Sequence, residues 1–255
     1  MARTVAGAQL TVAHRQAQLV LRADVLADLT RLWTLFDHGD LEATFARFAT
    51  AAEIIIRQRH GDSTGLAAAY FERFRAAEGA AGTAYAVLVE PPAPVLVRET
   101  LRVTGLDGVT AAVRAGQSAA QASRSGLVRV LGSATRLVLG GGRGTIVGSV
   151  RRDRETEGWQ RVTSGSPCAF CAMVASRGPA YASQRSARFE AHDHCGCSAE
   201  PYYRGSRTLE VNARLAEAWQ VAQREAADAG ELSRGTSNDA LNAFRRHLAG
   251  SGSSQ

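Results

Sequence analysis

Apolar residues recur at helical spacing through the first half of the chain. Val25, Leu29, Leu32 and Phe36 succeed one another at intervals of four, three and four, which puts them on one face and predicts a helix over residues 8–36. Asp37-His38-Gly39-Asp40 breaks the pattern, and Asp40 is placed to cap a second helix carrying Leu41, Phe45, Phe48, Ala52 and Ile55. Gly61-Asp62-Ser63 reads as another break and cap, after which Leu66, Tyr70 and Phe74 open a third helix. Three amphipathic helices with short breaks predict an antiparallel bundle. His38 and His60 fall at the expected helix ends, where a terminal or capping role outweighs metal binding.

Glu90-Pro91-Pro92-Ala93-Pro94 stops any helix. Val95 to Leu101 fits a short helix and a strand equally, and short glycine-broken helices continue to about Gly116. Ser118 caps a helix with Leu127, Leu131, Ala134 and Val138 on one face, and Gly140-Gly141-Gly142-Arg143-Gly144 is expected to end it. That glycine run lacks the Gly-Lys-Ser/Thr of a phosphate loop and a clear preceding strand, so it reads as a turn. Thr145 to Val150 and Trp159 to Thr163 read as short strands, Arg177-Gly178-Pro179 as a turn, and Pro201-Tyr202-Tyr203 as an extended exit. Ser206-Arg207-Thr208 is expected to cap a helix that Asp228-Ala229-Gly230 and Arg234-Gly235 break. Thr236-Ser237-Asn238-Asp239 resembles a capping box before a last helix with Leu241, Phe244 and Leu248. The small polar tail from Gly250 is expected to be disordered.

Composition changes the picture at one place. All four cysteines and two of the six histidines fall between Cys168 and Cys197. Cys168-Ala169-Phe170-Cys171 puts two sulfurs on one tight turn, and His192-Asp193-His194-Cys195-Gly196-Cys197 returns twenty residues later with further donors. This is the ligand pattern of a tetrahedral zinc site, and thiolate with imidazole suits zinc. Two disulfides or free thiols are the alternatives. The first needs an oxidising compartment, and the N-terminal residues show no apolar stretch of the length a secretion signal needs. The donors outnumber the positions: Cys168 and Cys171 are favoured, joined by two or three of His192, Cys195 and Cys197, with His194 the weakest candidate. A shell filled by four protein ligands is structural rather than catalytic.

The expected fold class is mainly α: an N-terminal helical bundle, then a small α+β zinc-binding module, then C-terminal helices. The expected divisions are a helical domain over 1–150, the zinc-binding module over 151–205, helices over 206–250 and a tail over 251–255. The net charge of +6 comes with no lysine at all, so all thirty basic residues are arginines. They are dispersed, with Arg151-Arg152-Asp153-Arg154 the densest cluster. Such a surface tolerates nucleic acid without specifying a sequence. No apolar run approaches the roughly twenty residues of a membrane span.

Enzyme readings lack their second halves. Pro167-Cys168-x-x-Cys171 matches part of a zinc deaminase signature, but the His-x-Glu that carries the proton shuttle is missing. No His-Glu-x-x-His of a zinc hydrolase occurs. A nuclease using His192 or His194 as general base stays open.

The pattern Cys-x-x-Cys, loop, His-x-x-Cys-x-Cys resembles the C-terminal signature of the Mu F-type minor head, or head morphogenesis, proteins of tailed phages. Trp159-Gln160-Arg161-Val162, Pro167 to Met173, Ser176 to Pro179 and Asn242 to Arg246 resemble the actinobacteriophage branch of that family. Asp193-His194 departs from it, standing where Pro-Asn is common. The resemblance implies a minor virion protein at the portal end of the capsid, assembled in the host cytoplasm and carrying structural zinc. Its implied partners are the portal protein, other capsid proteins and packaged DNA without sequence preference. No enzyme activity, small-molecule substrate or membrane is implied. A zinc-containing nuclease or toxin-like effector is the alternative.

Overall fold

The computed structural model describes residues 1–37, 40–179, 188–233 and 238–251. His38 and Gly39 of the expected break, Arg234-Gly235, Thr236 and Ser237 of the expected cap, and the tail from residue 252 lie outside the described residues. The protein is mainly helical with one small sheet. In chain order come α1 (Val5–Leu32), α2 (Leu41–Ala77), α3 (Pro94–Leu101), α4 (Gly108–Arg114), α5 (Ala119–Arg152), β1 (Thr156–Val162), α6 (Ala169–Ser176), β2 (Ser198–Tyr203), α7 (Glu210–Asp228) and α8 (Asp239–Ser251).

Caps fall where short polar side chains can reach free amides. Thr4 accepts from the Gly7 amide, so α1 starts earlier than its apolar pattern, and it ends in a single 3-10 turn at Trp33–Leu35. Asp40 caps α2, and Ser118 with Gln121 forms a reciprocal capping box on α5. Pro94 opens α3 at its first turn, which resolves Val95 to Leu101 as helix. Gly105 and Gly108 do not break the helical path: a π-helical stretch, Arg102–Asp107, leads directly from α3 into α4.

Two helices run through their expected breaks. α2 does not stop at Gly61-Asp62-Ser63, and His60 is therefore mid-helix and buried, its Nδ1 2.9 Å from the Leu137 carbonyl. The Ser63 hydroxyl caps nothing; it donates to Gln18 Oε1 at 2.7 Å and accepts from the Gly142 amide at 2.9 Å. Nor does α5 stop at Gly140 to Gly144, and Thr145 to Val150 is helix rather than strand. The glycines are there for close approach. A Cβ on Gly141 would lie 2.5 Å from the His60 carbonyl oxygen, and one on Gly142 2.8 Å from Gln18 Nε2. The expected three-helix bundle is thus replaced by long α2 crossing long α5, with α1 against both. Residues 83–93, between α2 and α3, run extended over α5. There Val89 and Val87 sit 3.0 and 3.2 Å from where side chains on Gly144 and Gly148 would begin, and the Val87 amide donates to Ser149 Oγ at 2.8 Å.

Three apolar clusters hold the chain. The largest joins α1, α2, α3, α4 and the first half of α5 around Leu29, Phe48, Ile56, Leu101 and Val130, with Trp33 edge-on to Phe48. The second joins Phe71 and Phe74 of α2 and Ile146 of α5 to Trp159, Ala199 and Tyr203 of the hairpin. The third packs Ala172 of α6 against Ala222 of α7 and Phe244 of α8. β1 and β2 pair antiparallel, with Gln160 opposite Glu200 and Val162 opposite Ser198. A buried ion pair, Arg75 Nε to Asp153 Oδ2 at 3.0 Å, ties the end of α2 to the end of α5.

α7 begins without the expected Ser206-Arg207-Thr208 cap. Leu209 is its N-cap and bonds no first-turn amide by side chain, while Ser206 Oγ accepts from the Tyr203 amide. α8 continues through Gly250 to Ser251, past the expected start of the tail. Among the described residues no helix is long and apolar enough to cross a membrane.

Candidate metal centre

β1 delivers the chain to Cys168, which N-caps α6 with its sulfur 3.5 Å from the Cys171 amide. Three residues are close to one helical turn, so both sulfurs point the same way. β2 is preceded by the loop that carries His192, Cys195 and Cys197, so pairing of the two strands brings the clusters together. Cys168 Sγ lies 3.0 Å and Cys171 Sγ 3.2 Å from His192 Nε2, and Cys171 Sγ lies 3.5 Å from Cys195 Sγ. Two overlapping donor sets result, Cys168–Cys171–His192 and Cys171–Cys195–Cys197, each within 4.8 Å. Cys171 belongs to both. Cys168 is exposed, and the other three cysteines are buried and free of disulfides.

The donors suit a metal ion. Zinc–sulfur bonds near 2.3 Å place tetrahedral sulfurs about 3.8 Å apart, so these groups need only small shifts to surround one ion. His192 Nδ1 lies 2.5 Å from the Asp193 carbonyl oxygen, a partner that keeps the proton on Nδ1 and leaves the Nε2 lone pair facing the sulfurs. Phe170 packs edge-on against the imidazole. The cluster of Cys168, Cys171, His192, Cys195 and Cys197 could hold a metal ion.

His194 turns elsewhere. It is exposed, with φ of 64°, and its amide donates to the Gly132 carbonyl on α5 at 3.2 Å. A Cβ on Gly132 would meet its Nε2 at 2.6 Å, so the ring lies on the helix surface and outside both donor sets. Asp193 reaches the same helix through Arg136 Nε at 2.8 Å.

Two buried arginines stand behind the sulfurs. Arg161 of β1 is fully buried, with Nη1 3.8 Å from Cys171 Sγ and 4.0 Å from Cys195 Sγ, and Nη2 donating to the Glu190 carbonyl at 2.6 Å. Arg143 of α5 donates to the carbonyls of Cys197 and Cys195. Both guanidiniums lie over the Phe189 ring, from 5.0 Å for Arg143 and 3.9 Å for Arg161. Among the described residues neither forms an ion pair with a carboxylate. Burying a cation is costly unless an anion answers it, and the sulfur poised to answer it is that of Cys195. Hydrogen bonds from Cys171 and Cys197 draw the Cys195 pKa well down, with Arg143 adding to the effect. The same hydrogen bond to Cys195 holds the Cys171 proton on. Burial pushes the Arg143 pKa down, and Cys195 and Cys197 push it back.

The arginines are close neighbours of the cysteines that the motif did not reveal. In a chain whose every basic residue is arginine, one more attracts no notice. The available signals were Arg161 inside Trp159-Gln160-Arg161-Val162 and Arg143 inside the glycine run.

A helical protein with a thiol-rich clasp between two strands is the class that fold and site define. A family model described as VG15 protein matches residues 7–226, from the first turns of α1 almost to the end of α7. The chain belongs to the VG15 protein family, and it is a phage protein. No curated protein and no solved structure matches it significantly.

Proposed function

We propose that this protein is a minor capsid protein of a tailed phage, acting in head morphogenesis at the portal end, with zinc at a structural centre. The observation that carries the reading is that Cys168-x-x-Cys171 and His192-x-x-Cys195-x-Cys197, the head-protein signature, close into one clasp in a phage-family chain. The proposed partners are the portal protein and neighbouring capsid proteins, and the proposed location is the virion. With five protein donors for four positions, zinc supplies cross-linking of α6 to the loop before β2 rather than an open site for water.

Mass spectrometry of purified virions should find the protein in few copies, and it should co-sediment with portal assemblies. Its absence from virions, with heads of a deletion phage packaging normally, overturns the reading. Elemental analysis of reduced protein should give one zinc per chain; a value well below one removes the zinc. The protein is proposed not to be an enzyme: DNA and RNA should stay intact with it in zinc or magnesium. Cleavage abolished by His194→Ala would favour a nuclease instead.

A further inference from the structure

Residues 83–90 form an extended stretch with no strand beside it. Val89 sits over Gly144 and Val87 over Gly148. Two residues of the stretch thus match four of α5, ~6 Å, which is the rise of an extended chain. Among the described residues, no amide or carbonyl of 83–90 pairs with another backbone group. Its bonds go to side chains of the helices beneath. The Ala86 amide donates to Glu72 at 3.4 Å, the Val87 amide donates to Ser149, and the Val89 carbonyl accepts from Thr64 at 3.2 Å. The stretch is bounded by Gly82, at φ 66°, and by Pro91-Pro92, which carry no amide to donate.

Exposure along it reads the same from either end. Thr83, Tyr85, Leu88 and Glu90 are exposed, while Ala84, Ala86, Val87 and Val89 are half-buried. Tyr85 is 77% and Leu88 63% exposed. Val95 and Leu96, just beyond the prolines, are exposed as well.

We propose that this stretch pairs antiparallel with the same stretch of a second copy, about a two-fold axis between Ala86 and Val87. In an antiparallel pair, side chains directly opposite one another share a face. The two-fold register sets Tyr85 of one copy opposite Leu88 of the other, twice, and Thr83 opposite Glu90. Every exposed position then meets an exposed one, and every half-buried position a half-buried one. A register one residue off loses that match. Glu90 is the only charge in the stretch, so no like charges face each other. A two-fold contact demands a self-complementary surface; a strand from a different protein does not, and the symmetric exposure therefore favours a second copy. Open edges are ordinarily blunted by lysine or an inward charge, and here Tyr85 and Leu88 stand in the open instead. A stretch this short falls well below the ~20–30 residues a side of a stable interface, so the dimer forms and parts with concentration. The inference draws nothing from the capsid reading.

Sedimentation velocity of the purified full chain from about 1 to about 100 μM should show monomer giving way to dimer. Hydrogen exchange followed by mass spectrometry should slow within 83–90 over the same range. Leu88→Glu should weaken the dimer roughly tenfold or more, by setting an unanswered charge against Tyr85. Adding Tyr85→Lys to that variant should restore it, because the register places the two new charges, opposite in sign, across from each other. Val128→Glu alters an exposed valine in the first half of α5 and should leave the dimer as it is. All these sites are exposed, so helical signal and melting temperature should match the wild type. A monomer at every concentration overturns the proposal and leaves the stretch to a strand of another protein. A dimer weakened no more by Leu88→Glu than by Val128→Glu overturns it too, as does failure of the double variant to recover.

Discussion

The α1–α5 core and the cysteine clasp meet along α5 yet are held by different physics. In the core, Leu29, Phe48, Ile56 and Val130 are fully buried among other apolar side chains. Each contributes on the order of 1.5–3 kcal/mol by leaving water. In the clasp the buried groups are three cysteine sulfurs and two guanidiniums, and the guanidiniums cost free energy to bury unless a thiolate answers them. The core is stable because of what it excludes; the clasp is stable only when its charges are answered. A protein built this way can lose the clasp and keep the core.

Cys171→Ser gives the largest break, because Cys171 stands in both donor sets. Metal–ligand bonds in small zinc modules supply on the order of 10 kcal/mol, so the variant should lose its metal. Limited proteolysis should then cut between Val162 and Ser198 while far-ultraviolet dichroism stays near wild type. Equal protection of that segment in wild type and variant would mean the cysteines do not hold it. Phe48→Ala is the converse and should cost about 3–5 kcal/mol of global stability, read by urea denaturation, with zinc content unchanged.

Acid separates the regions in another way. His14 of α1 is buried with its ring stacked on Tyr70 at 4.3 Å, and burial pushes its pKa from 6.5 down to about 4. The unfolded chain therefore takes up a proton that the folded chain refuses. This contribution to stability is complete above pH 6.5 and is lost as pH falls toward 4, to a total of about 3 kcal/mol. Denaturation of metal-free protein across that range should show the slope, and His14→Phe should flatten it. An unchanged slope in the variant would assign the acid sensitivity to other groups.

The smallest effects come from a pair of glycines. Gly61→Ala meets nothing within 4 Å and should stabilise α2 by up to about 1 kcal/mol. Gly141→Ala would press on the His60 carbonyl and should destabilise by about 1–3 kcal/mol. Melting temperatures that move in the same direction for both would show that helix propensity, not crossing distance, governs these positions.

That pair also explains what is legible in the chain. Local chemistry is: the Asp40 cap, the Ser118 box, and the meeting of Cys168-x-x-Cys171 with the cluster at His192 to Cys197 can be read from the motifs themselves; the prolines at 91–94 end no helix, since α2 stops at Ala77 and Pro94 opens α3. Gly61 and the run at Gly140 look like ends of helices because their meaning is non-local. A glycine costs a helix about 1 kcal/mol, and the packing that outweighs it at Gly141 comes from His60, on another helix. The Ser206 cap fails for a similar reason, its hydroxyl being taken by Tyr203 of β2. Arg161 and Arg143 become visible only once the strands and α5 have placed them behind the sulfurs.

The extended stretch laid over α5 sets a schedule. On the ribosome α1, α2 and the Val87–Val89 strap are made before α5, the helix whose notches at Gly144 and Gly148 receive the strap. Until α5 clears the exit tunnel, Phe71, Phe74 and the two valines have no seat. The nascent chain thus waits with apolar surface uncovered, the state in which chaperones engage and chains aggregate. Arrival of α5 seats the two valines, but Phe74 waits longer, until Tyr203 of β2 stacks on it, so the strands that carry the clasp also finish the cover of α2.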